Sequence, residues 1–189
     1  MQRRRTFTVM AILLAVLILG VGYATVANVT LNLTGTGNIK ANADFSVEYD
    51  TTHTVVKNTN DTITDGANTH PVVAGAYTDT ANATMTVWFD NDHREAYAIY
   101  KVDNKSSELS ARLRANVTQV GSQYDAYFTD VTATYYTDAN CATALGTDEL
   151  TAGASAYLKV EISLEKSPLD DITGATFSVT TTAEPVEAD

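Results

Sequence analysis

Residues 156–164 read Ala156-Tyr157-Leu158-Lys159-Val160-Glu161-Ile162-Ser163-Leu164, and their reading decides the fold class. Apolar side chains take every second position: Ala156, Leu158, Val160, Ile162 and Leu164. Tyr157, Lys159, Glu161 and Ser163 fall between them. A period of two is that of a strand with one buried face, because successive side chains leave a strand on opposite sides.

The same period recurs along the chain. Residues 44–50 alternate through Phe45, Val47 and Tyr49. Residues 81–90 set Ala83, Met85, Val87 and Phe89 against Asn82, Thr84, Thr86 and Trp88. Residues 109–118 put Leu109, Ala111, Leu113, Ala115 and Val117 inward, with Arg112, Arg114 and Asn116 outward. Residues 175–183 alternate through Phe177 and Val179. Residues 124–137 are long, aromatic-rich and expected to be bulged, whereas 97–102 are apolar on both faces, as in a central strand. No helical period is sustained after residue 28. Short alternating strands, parted by Gly, Asn and Asp-rich turns, predict an all-β antiparallel sandwich with one face of each sheet buried. The abundance of Thr suits solvated strand faces. Pro71, Pro168 and Pro185 are expected in loops or the tail, and 183–189 as a frayed acidic end. The polar stretch 51–75 reads as a long connection, with a weak edge strand at 53–57.

The N-terminus has a different character. Arg3, Arg4 and Arg5 precede an apolar run from Val9 to Gly22, and small residues follow at Ala24 and Ala27. A basic start, an apolar core and a small-x-small site predict a secretory signal over residues 1–27, cut after Ala24 or Ala27. The alternative is an uncleaved anchor, since the run approaches the roughly 20 residues that span a bilayer. Arg4-Arg5-Thr6-Phe7 is similar to a twin-arginine element, but the very short basic region and the strongly apolar core speak against that type of signal. Residues 28–36, Asn-Val-Thr-Leu-Asn-Leu-Thr-Gly-Thr, then form a strand by strict alternation, with Val29, Leu31 and Leu33 on one face. Residues 37–189 make up the sandwich domain.

Charge and chemistry narrow the function. Twelve Lys and Arg stand against 23 Asp and Glu, for a formal charge of −11; losing Arg3, Arg4 and Arg5 makes it three units more negative. Electrostatics therefore offers no attraction to nucleic acid or anionic lipid, and any membrane contact runs through an uncleaved leader. The single cysteine, Cys141, has no internal disulfide partner. His53, His70 and His93 are scattered and none precedes a Glu, so the His-Glu-x-x-His pattern of zinc proteases is missing. Asp90-Asn91-Asp92-His93-Arg94-Glu95 gathers oxygen donors, but without the Gly and spacing of an EF-hand it reads as a solvated hairpin turn. Pro168-Leu169-Asp170-Asp171 reads as a turn as well. No catalytic, cofactor or metal site is expected, and the chain is read as a non-enzyme. Six Asn-x-Ser/Thr sequons occur, at Asn28, Asn32, Asn60, Asn82, Asn104 and Asn116.

Several stretches carry a family likeness: the apolar leader ending in Gly-Tyr-Ala, the Asn-Val-Thr-Leu-Asn-Leu-Thr-Gly-Thr-Gly strand, and residues 96–107 followed by Leu109-Ser110-Ala111. A fourth is the Leu150-Thr151-Ala152-Gly153 turn into residues 156–164. In this order of features the chain resembles the camelysin/TasA family of exported surface and biofilm-matrix proteins and related bundling pili. The resemblance implies a jelly-roll domain, removal of the signal by a dedicated peptidase, and polymerisation by an N-terminal strand lent to the next subunit. That role would fall to Val29, Leu31 and Leu33. The family's protease label gains nothing from these residues. Three functions stay open: an extracellular fibre subunit whose main partner is itself, head to tail; a monomeric surface or adhesin domain meeting cell-surface or matrix components; and a membrane-anchored, pilin-like subunit. The apolar run lacks the Glu that a type IV pilin carries near its start.

Overall fold

The computed structural model describes residues 39–41, 43–120, 128–164 and 173–186. The expected signal (1–27), the strand 28–36 with Val29, Leu31 and Leu33, and the turn at Pro168 lie outside the described residues. In chain order the strands are β1 (Ile39–Ala41), β2 (Ala43–Phe45), β3 (Val47–Tyr49), β4 (Val56–Lys57), β5 (Thr62–Asp65), β6 (Asn68–Pro71), β7 (Val73–Tyr77), β8 (Asn82–Phe89), β9 (Glu95–Asn104), β10 (Ser110–Val120), β11 (Phe128–Tyr136), β12 (Glu149–Leu150), β13 (Ser155–Leu164) and β14 (Thr173–Val186).

All pairings are antiparallel. One sheet, here sheet I, has the order β12-β10-β14-β8-β7; the other, sheet II, runs β11-β13-β9-β3, with β4 also on the outer side of β9. The inward rows meet in one apolar cluster. Met85, Val87 and Phe89 of β8, Leu113 of β10 and Phe177 and Val179 of β14 pack with Tyr100 and Val102 of β9 and with Leu158, Val160 and Ile162 of β13. Residues 156–164 therefore behave as their alternation requires, burying every second side chain.

Four expectations need correction. Residues 44–50 are not one strand: the chain breaks at Ser46, so that β2 folds back on β1 while β3 joins β9. The stretch 51–75 is largely structured. It holds β4, the β5–β6 ribbon closed by Gly66 at φ 58°, and the start of β7. Pro71 ends β6 and Pro185 lies within β14, so neither is in a loop. The C-terminal segment is strand as far as Val186. Pro185 is tolerated because β8 pairs β14 only up to Thr180, and the N–H that proline lacks would face the side on which no described residue pairs β14. The expected irregularity in 124–137 is a register shift between Phe128 and Asp130.

Candidate functional site

Strand β10 is the longest in sheet I after β14, and its two sides are treated differently. Toward β14 it is paired from Ser110 to Val120. Toward β12 it is paired only at Ala111 and Arg112, and Leu113 N donates to Asp148 O at 2.7 Å. Backbone groups in an antiparallel ladder alternate between neighbours. Since the Leu113 N–H points away from β14, those of Ala115, Val117 and Gln119 do too, and no described residue pairs them.

The side chains at this edge are equally incomplete. Ala115, Val117 and Gln119 continue the inward row that begins with fully buried Ala111 and Leu113, yet they are only half-buried. Across the sandwich β11 presents the same flank. Its far end is covered, because Tyr136 bridges to Ala144 and Leu145 N donates to Tyr135 O. Val131 carries the inward parity of Ala133 and Tyr135, yet it is 38% exposed while its neighbour Ile162 is 1% exposed. Tyr135 closes the flank at one end. Its buried ring reaches from β11 into sheet I, with Oη 3.2 Å from both Arg114 O and Thr181 Oγ1. Burial pushes its phenol well above the ordinary range, so it stays a neutral strap. Beyond it, half-buried Ala115 and Val117 of β10 and exposed Val131 of β11 lie on the same flank, beside main-chain groups of β10 that no described residue pairs.

The two outer faces differ in charge. On sheet II, Lys101 bonds Asp50 at 2.9 Å and lies 3.3 Å from Asp103, Lys105 bonds Asp103 at 2.7 Å, and Lys159 bonds Glu161 at 2.7 Å. The middle of sheet I's outer face is hydroxyl-rich and uncharged, with Thr84 and Thr86 of β8, Thr176, Ser178 and Thr180 of β14 and Thr118 of β10. Thr86 and Thr176 bond each other at 3.0 Å.

The other residues weighed for chemistry do not converge. His53 lies edge-on to Tyr157, and His70 stacks on Trp88 with ring centroids 3.7 Å apart. His93 donates its backbone N–H to Asp90 Oδ1 at 2.7 Å, and its Nδ1 is 2.9 Å from the same oxygen. Asp92 N reaches that oxygen as well, at 2.9 Å, so Asp90 serves as the cap of the turn. Burial opposes its charge, but these bonds hold its carboxyl below the usual range. A surface cleft of 490 Å³ runs beside this turn, lined by Asp61, Asp92, His93 and Glu95 among others. Among the described residues no group of three His, Cys, Asp or Glu is placed to hold a metal ion. Cys141 sits half-buried at φ 53°, in a turn whose N–H groups bond the Asp138 carboxylate. Burial pushes its thiol up, away from the reactive thiolate.

No protein family, curated protein or solved structure matches the chain.

Proposed function

We propose that this protein is the structural subunit of an extracellular filament, a biofilm-matrix fibre or pilus, in which residues 28–36 of one copy add to β10 of the next. The observation that carries this reading is the edge of β10 over residues 114–120, paired on its β12 side by no described residue, above half-buried Ala115 and Val117. Seven strand residues span about 23 Å and nine span about 30 Å, so the donor is long enough to line the edge. Alternate donor side chains Val29, Leu31 and Leu33 pack beside Val117 and Val131, each worth roughly 1.5–3 kcal/mol when buried. The polar face of the donor, Asn28, Thr30, Asn32 and Thr34, continues the hydroxyl and amide character of sheet I and contrasts with the charged face of sheet II.

Strand order supports the jelly-roll form of this reading. β8 to β11 alternate between the sheets, and the returning β13 and β14 insert between β9 and β11 and between β8 and β10. That is the path of two interlocked Greek keys. Among the described residues, the place beside β10, which the next strand would occupy, holds only the two residues of β12. A donated strand completes it. The contact is head to tail and generates an open filament. The reading includes export with removal of the leader and a structural rather than enzymatic role, in line with the resemblance to the camelysin/TasA family.

Electron microscopy of the mature protein tests it. Filaments are expected from the unmodified chain, and soluble monomers from Leu31→Asp/Leu33→Asp or from a chain lacking residues 25–36. Normal filaments from the truncated chain would overturn strand donation. A mature protein monomeric under all conditions would mean that residues 28–36 close their own domain, as in a surface adhesin.

A further inference from the structure

The fold sorts the sequons that lie among the described residues. Asn104 is 2% exposed, and its Nδ2 donates to Leu109 O at 2.9 Å, Leu150 O at 3.1 Å and Thr151 O at 3.2 Å. Its Oδ1 accepts from Ser106 N at 3.0 Å. A sugar would replace one of the two Nδ2 hydrogens that serve these three carbonyls, in a site closed to solvent. Asn82 aims Nδ2 at both oxygens of the Asp79 carboxylate, at 3.0 and 3.1 Å, and its Oδ1 accepts from Thr180 Oγ1. Asn60 and Asn116 are different. Both are exposed, as are the third residues of their sequons, Thr62 and Thr118. Neither side-chain amide has a partner among the described residues. Asn116 and Thr118 are two apart in β10, so both project from the outer face of sheet I, about 7 Å apart.

We propose that Asn60 and Asn116 are N-glycosylation sites, loaded from a lipid-phosphate-linked oligosaccharide. The assignment rests on the exported reading above. In the transfer, Nδ2 forms a bond to the anomeric carbon as the bond from that carbon to the carrier's phosphate oxygen breaks. The amide loses one proton to a base of the transferase, and the lipid phosphate leaves. At Asn116 the position has a consequence for assembly. Side chains stand perpendicular to a sheet, whereas ladder hydrogen bonds lie in its plane. A glycan there rises off the outer face and leaves the main-chain edge of β10 open to a single thin strand. It also obstructs another folded domain from stacking on that face, one of the routes to unwanted association that an open sheet must guard against.

Intact-glycopeptide mass spectrometry on the full-length protein, taken from outside its own cells, tests the assignment. Glycan is expected on the peptides containing Asn60 and Asn116, and Asn82 and Asn104 are expected bare. Asn116→Gln and Thr118→Val should each remove one glycan mass, and Asn60→Gln the other. A bare Asn60 or Asn116 in exported material overturns the proposal, as does a glycan on Asn104. A chain retained inside the cell with Met1 intact is read separately by fractionation; it refutes the export premise, and the assignment falls with it.

Discussion

Gly174 stands opposite Trp88 across the β14–β8 ladder, and a Cβ built there would come within 2.6 Å of the indole. The missing side chain makes room for the ring, which also carries the His70 imidazole. Gly174→Ala should therefore lower stability by about 1–3 kcal/mol through overpacking. A denaturation midpoint reads the loss, and in a Trp88→Ala background the added cost of Gly174→Ala should largely vanish. A second residue-scale prediction concerns acid. Asp50 is held far below the usual carboxylate range by hydrogen bonds from Thr52 and Lys101. Burial opposes the charge of Asp103, but bonds from Lys105, Ser155 and Lys101 outweigh it and lower its value too. Groups depressed in the folded state stabilise it fully above their unfolded values, near 4, and lose that contribution as pH falls through the folded ones. Melting temperature should be nearly flat from pH 7 to about 5 and then fall, with a shallower acid limb in Asp103→Asn.

Strands add a test of parity. Along β10 the N–H groups of even residues serve β14, and those of odd residues beyond Leu113 face the open flank. Proline is tolerated where the lost N–H bonds nothing and harmful where it serves a ladder. If β10 accepts the strand as proposed, Val117→Pro should leave the domain folded yet abolish filament growth, because it removes a donor from that edge. Asn116→Pro should instead lower stability by at least about 1 kcal/mol, the net worth of a ladder bond. Circular dichroism with microscopy distinguishes the two. Equal damage from both would mean that the outer edge of β10 is already paired within the subunit.

For the whole molecule, charge would set the conditions of the proposed assembly. A chain of formal charge −11 repels its copies, and the Debye length of about 10 Å at 0.1 M salt limits that repulsion. Filament growth followed by light scattering should quicken as sodium chloride rises from ~10 to ~150 mM, while the ladder and apolar contacts of the inserted strand persist. Growth that slows with added salt would point to an interface held by opposite charges.

The amino-acid sequence by itself determined which faces of the strands are buried. The period of two in 81–90, 109–118 and 156–164 is a local property, and the rows it marks are those that meet in the core. It also marked 97–102 as central, because β9 is apolar on both sides and lies between β13 and the β3/β4 edge. Strand neighbours were not legible, since ladder bonds use main-chain groups that every residue shares. Only the tertiary structure decided that 44–50 divides between two partners and that 51–75 folds over the sandwich. It also decided that Asn104, in a sequon like the others, is locked inside. The open edge belongs to the same class. Residues 111–118 alternate as cleanly as any paired strand, and the side of β10 that no described residue pairs beyond Leu113 follows from β12 stopping after two residues, a fact of long-range pairing that no local pattern encodes.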